Sequence, residues 1–349
     1  MSKPQEPHRP FFPFGNPFRA ISPKGAKVSS RLVFLLATFE DSLAERLKKL
    51  TPKSENDILS FSWMELAMKL LRETHNNVKT LIEELGFPVS EWDEKWLDEY
   101  LNISVKLLDI CNDFSSELSQ LNQGHLILRC ALHNLESTSS NQSVRAPSSL
   151  DAWNQHISSR TSRVDSGSPI LDGLKESLDL PKVKNSSKGK VLMHALYGVK
   201  VVTLFICSVF ASSFSGSSEW LLPTNVPDSF RWASAFTELQ KYVNMEIKKI
   251  YSSGRFTALR DVDAVNERVK KLHSMIQGNM DDCKEEFQNL IVELRREAEN
   301  LTQGVDHLTK QVDEFFHIVL SGRDELLSNL RASETVFAQG MGGLCTRQL

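Results

Sequence analysis

The run from Gly189 to Ser218, GKVLMHALYGVKVVTLFICSVFASSFSGSS, constrains the fold more than any other part of the chain. Val201 to Ser218 carries no charge. No acidic residue occurs between Asp179 and Glu219, whereas Lys182, Lys184, Lys188, Lys190 and Lys200 all fall there. A basic approach leading into an apolar helix has two physical solutions. It is a membrane segment with its basic flank in the cytosol, or the central helix of a bundle.

The two solutions make different demands. A spanning helix needs about 20 predominantly apolar residues, and the stretch reaches that length only by taking in Lys200 or its serine-rich end. A lysine costs about 2.5–3.5 kcal/mol at the centre of a membrane helix and less near an end, where it can snorkel. Ser208, Ser212, Ser213, Ser215, Ser217 and Ser218 dilute the apolar content. Small residues at Ala195, Gly198, Ser208, Ala211 and Ser212 allow another helix to approach closely in either medium. The composition favours a buried core helix over a span or an interfacial segment.

The rest of the chain reads as helices. From Val28, Leu32, Leu35, Leu36, Phe39, Leu43 and Leu47 recur at three- and four-residue steps until Pro52. A second helix is expected over Asp57–Leu85, stopped by Gly86 and Pro88. Ser90 with Asp93 has the spacing of a capping box for a third helix reaching Leu135, with a break expected near Asn122-Gln123-Gly124. Ser137–Pro147 is a Ser/Asn/Gln-rich loop. Short helices are expected at Leu150–Ser158 and Ile170–Leu180, in the region with the weakest core signal. The central helix follows from about Ser186 to Ser213, then one at Phe230–Tyr251, and a nearly continuous helical pattern over Leu259–Leu330. Within it Ala298, Leu301, Val305, Leu308, Val312, Phe315 and Val319 alternate steps of three and four, a heptad-like seam for bundle packing or a partner coiled coil.

No period-2 strand stands out, so the fold class is all-α: an elongated antiparallel helical bundle with long helices and a disordered N-terminal arm. The expected organisation is the arm over residues 1–27, an N-terminal helical segment over 28–136, a polar linker with short helices over 137–185, a C-terminal helical segment over 186–332 and a flexible tail over 333–349. Residues 28–332 are expected to form one bundle. The arm is dense in Pro and Phe and nearly free of acids. It reads as a mobile arm, a linear motif, a membrane-touching segment or a plastid transit peptide. No secretory signal is expected from its composition.

Composition excludes more chemistry than it suggests. A formal net charge of -3 argues against bulk nucleic-acid binding. Cys111, Cys130, Cys207, Cys283 and Cys345 form no C-x-x-C pair, which suggests thiols used as small hydrophobes in a reducing compartment. There is no G-x-G-x-x-G, no G-x-x-x-x-G-K-[ST], no G-x-S-x-G and no H-E-x-x-H. Ser187-Lys188-Gly189-Lys190 lacks the glycine framework of a phosphate loop. His125, Cys130 and His133 lie too far round a helix from one another to converge on a metal. The acids Glu91, Asp93, Glu94, Asp98 and Glu99 suit the start of a helix. No catalytic residue, cofactor or metal is expected. The residues picked out for contact with a partner or a membrane are Phe11, Phe12, Phe14 and Phe18 on the arm, and Val201, Leu204, Phe205, Val209 and Phe210 on the apolar stretch.

Several blocks carry a resemblance: FFPFGNPF at Phe11–Phe18, ETHN at Glu73–Asn76, ISVKLLD at Ile103–Asp109, LNQGHL at Leu121–Leu126, LPKVKNSSKGKVLMHALYGVKVV at Leu180–Val202 and LSGRDELLSNLR at Leu320–Arg331. In these the sequence closely resembles the plant BYPASS family of helical proteins. The resemblance blurs in the Ser/Asn linker and beyond Ser333. It implies a non-enzymatic developmental regulator needed for normal root and shoot growth, restraining a root-derived, carotenoid-related mobile signal through protein–protein contacts. The alternative it implies is a membrane-associated scaffold in exocyst or vesicle traffic, with exocyst components as partners. An enzyme acting on an apolar precursor would need a preformed apolar cavity with convergent polar groups. The expected location is the cytoplasm or the periphery of a membrane, with the plastid or a single-pass membrane placement as alternatives.

Overall fold

The computed structural model describes residues 29–54, 57–86, 94–136, 145–158, 168–176, 178, 186–253, 259–277 and 284–342. Among them the regular elements are helical, and no strand occurs. In chain order the helices are α1 (Ser30–Leu50), α2 (Phe61–Leu85), α3 (Glu94–Glu136), α4 (Arg145–Ser158), α5 (Ser168–Glu176), α6 (Ser187–Ser215), α7 (Ala233–Ser252), α8 (Arg260–Gln277) and α9 (Lys284–Gly342), with a short 3₁₀ turn at Ser218–Trp220. The all-α expectation holds. The arm residues Phe11, Phe12, Phe14 and Phe18, and the expected capping box at Ser90 and Asp93, lie outside the described residues.

The helix ends follow local chemistry. Ser60 caps α2 by accepting the Trp63 N–H at 3.2 Å, and Gly86 closes it with φ 54°. Ser186 caps α6 by accepting the Gly189 N–H at 3.0 Å, and Gly216 ends it with φ 72°. Capping side chains and left-handed glycines satisfy the backbone groups that a helix leaves unpaired at its ends. The lysine-glycine sequence at the start of α6 is therefore a capped helix start, and Lys188 donates to the Gly86 carbonyl at 3.1 Å.

The apolar helix lies in the middle. From Val191 to Phe214 every residue of α6 except His194 is buried. It packs against α1, α2, α3, α5 and α7. Phe205 meets Phe236 of α7 edge-to-face at 5.5 Å, and Phe210 and Phe214 tilt against Phe114 of α3. Two of the serines that dilute the stretch bond back to their own helix: Ser208 donates to the Phe205 carbonyl at 2.8 Å and Ser213 to the Val209 carbonyl at 2.7 Å. Such back-bonding lets a hydroxyl sit in an apolar interior without a distant partner.

The long helices α3 and α9 form the outer frame and pack along each other, with α2 and α8 also against α9. The seam residues Ala298, Leu301, Val305, Leu308, Val312, Phe315 and Val319 are all buried within the chain's own bundle.

Three details differ from the sequence reading. Helix α3 runs through Asn122-Gln123-Gly124 without a break. The glycine serves close packing: a Cβ there would come within 2.9 Å of the Trp153 ring of α4. Helix α4 begins at Arg145, so Pro147 falls in its first turn, where the missing N–H has no partner to lose. Helix α9 continues past Ser333 to Gly342. The region of weakest core signal also supplies core: Leu150, Trp153, Leu171 and Leu174 are buried, and Trp153 donates to Asn266 of α8 at 2.8 Å.

Candidate functional site

A recess of about 480 Å³ opens between α2, α3, α6 and α9. Helical spacing builds it. His75, Val78, Lys79, Ile82, Glu83 and Gly86 fall on one face of α2, while Tyr100, Ile103, Ser104 and Leu107 fall on one face of α3. Leu196, Val199 and Lys200 form the α6 wall, and Ile318, Val319, Gly322, Glu325 and Leu326 the α9 wall. Gly322 lets Tyr100 approach closely here: a Cβ would stand 2.7 Å from the Tyr100 hydroxyl oxygen.

The mouth is charged and the walls are aliphatic. Asn76, Lys79, Glu83 and Glu325 are exposed, with Lys79 paired to Glu325 at 2.8 Å across the opening. Deeper in, Ser104 is buried. Its hydroxyl donates to the Leu101 carbonyl at 2.7 Å and accepts from Arg323 at 3.0 Å, pinning α9 to α3. Lys200 is only 5% exposed on the α6 wall. His75 is half-buried as a residue, and its Nε2 is sealed from water and has no hydrogen-bond partner. Burial lowers the His75 pKa to about 4, so the imidazole is neutral at ordinary pH. Burial raises that of the Tyr100 phenol, with the Glu325 charge adding to the shift.

The other residues picked out from sequence go elsewhere. Val201, Leu204, Phe205, Val209 and Phe210 are fully buried in the core and present no surface in this fold. His125 and His133 line a separate cleft between α3 and α9, where His125 Nδ1 meets the Thr302 hydroxyl at 2.5 Å and Glu136 pairs with Arg295. Cys130 is exposed. Among the described residues no group of three or more His, Cys, Asp or Glu converges as a metal site would require. Cys111 and Cys207 are buried, and burial raises both thiols well above their usual range, which makes them poor nucleophiles.

Sequence reading missed the recess because it draws on four helices, of which only α2 and α3 are neighbours in the chain. Its one local signal is Lys200, a lysine inside an otherwise apolar helix.

The fold and recess define a helical-bundle protein built round a buried apolar helix, with an amphipathic cavity on its flank. The family described as "Protein ROH1-like" matches residues 27–150 and 129–330. The chain is 52% identical over 333 residues to "Protein BPS1, chloroplastic" of Arabidopsis thaliana, covering 95% of this chain and 94% of that protein. It is 44% identical to "UPF0496 protein 4" of Oryza sativa subsp. japonica, over 89% of this chain and 66% of that protein. It is 21% identical to "Protein ROH1D" of Arabidopsis thaliana, over 89% and 91% of the two chains. No solved structure matches. The chain belongs to the ROH1-like family, among the plant BYPASS proteins.

Proposed function

We propose that this protein is a non-enzymatic regulator of plant development that supports normal root and shoot growth by restraining a root-derived, carotenoid-related mobile growth-arrest signal through protein–protein contacts. The observation that carries this reading is the similarity to BPS1, 52% identity over 95% of the chain. Burial of the whole apolar stretch within the bundle favours action through the outer helical faces over action as an anchored scaffold. The word "chloroplastic" in the name of that relative supports the plastid among the expected locations.

Complementation tests it. Expressed in Arabidopsis thaliana plants lacking BPS1, this chain restores root and shoot growth. Full accumulation of the protein without restored growth overturns the reading. A C-terminal fluorescent fusion in the same plants reports plastid or cytosolic placement.

A further inference from the structure

We propose that the recess between α2, α3, α6 and α9 takes up one uncharged, mainly aliphatic small molecule, its body on the inner walls and its one polar group, a hydroxyl or a carbonyl, at the Tyr100 hydroxyl. The inference does not rest on the developmental reading.

Packing sets the recess apart. Native interiors hold few voids larger than a water molecule, and along α6 every residue from Val201 to Phe214 is buried. Just before that run, Leu196, Val199 and Lys200 line a space of about 480 Å³, within the range of pockets that enclose small ligands. Its inner surface is mainly aliphatic, from Ile103, Leu107, Leu196, Val199 and Val319. Covering aliphatic surface on ligand and walls together supplies the affinity.

The charges around the recess are accounted for, so the choice falls on an uncharged ligand. Lys200 already has a partner. Lys79 pairs with Glu325 at the mouth, and Glu83 stands exposed to water there. Deeper in, Ser104 serves Arg323 and Leu101, and His75 is neutral with its Nε2 shut off from solvent. A ligand charge of either sign carried into the recess would lose hydration with no unpaired counter-charge to offset the loss. Tyr100 differs from these groups. It is half-buried, its hydroxyl lies against Gly322, and that hydroxyl forms no hydrogen bond among the described residues. Burial keeps the phenol protonated, so it can donate to a carbonyl, and can both donate to and accept from a hydroxyl.

The test is calorimetric titration of the full-length protein at about pH 8 with decanol, decanoate and decylamine, which share one hydrocarbon chain and differ in charge. Decanol binds at one site per chain and about tenfold more tightly than either charged ligand. Tyr100→Phe keeps the ring and weakens decanol binding by roughly threefold to tenfold. Ile82→Trp fills the recess from a partly exposed position, and Val199→Phe fills it from the α6 wall. Either filler, with wild-type circular dichroism, abolishes decanol binding. The proposal is overturned if decanol does not saturate at one site, if a charged ligand binds as tightly as decanol, or if Tyr100→Phe or a folded filler binds decanol like wild type.

Discussion

Two titratable residues, the buried Glu40 and the half-buried His75, give the fold opposite responses to pH. Glu40 of α1 is 3% exposed and accepts the Arg231 N–H at 3.1 Å. Burial raises its pKa from 4.5 to about 7, a shift that Arg231 lessens and Asp41 adds to. Folding favours the protonated carboxyl, so its contribution is complete below about 4.5 and is lost as pH rises through 7. His75 works the other way. Its lowered pKa gives stability that is present above 6.5 and lost as pH falls towards 4. The two trends offset each other in mildly acidic solution, so each shows only when the other is removed. Glu40→Gln keeps an acceptor for Arg231 without the titration. Denaturant unfolding at pH 5, 6.5 and 8 should find this variant gaining on wild type as pH rises, by up to about 3 kcal/mol at pH 8. Parallel profiles would show that Glu40 is solvated in solution. Neither shift was legible in the sequence. Glu40 reads there as a surface residue of an amphipathic helix, and only the approach of Arg231 and α7 closes it off.

At the scale of elements, periodicity was the reliable guide. The seam of α9 was visible as an alternation of threes and fours, and its residues are buried where that alternation puts them. What the pattern left open was whether the seam faces this chain or another, and packing along α3 and α2 answers that. Val305→Asp combined with Val312→Asp should cost about 3 kcal/mol or more at each position, because a carboxylate buried without a partner has nothing to offset its lost hydration. Loss of the cooperative melting transition is the expected result, and an unchanged melting temperature would show that the seam is solvent-facing. The break expected in α3 failed for an equally local reason. A glycine flanked by polar residues signals a turn by composition, yet here it makes room for the Trp153 ring, which lies 29 positions further along the chain.

At the scale of the whole molecule, the apolar helix is an interior element surrounded by other helices. Its composition and length would pass for a membrane span, yet its most apolar window is wholly enclosed by protein. Washing plant membranes with salt or alkaline carbonate should therefore release the tagged full-length protein without detergent. Release by detergent alone would mean that α6 leaves the bundle for lipid. The recess on the flank belongs to this scale too, since no two of its four walls are consecutive helices except α2 and α3.

The sequence by itself determined the helices, most of their ends, the buried seam and the family, because each is written in local spacing or in residue identity. Only the tertiary structure decided that the apolar stretch is a core, that Glu40 and His75 titrate far from their usual ranges, and that Lys200 opens onto a cavity. Those properties depend on which distant residues exclude water from a given atom. Chain-local periodicity carries no information about that exclusion.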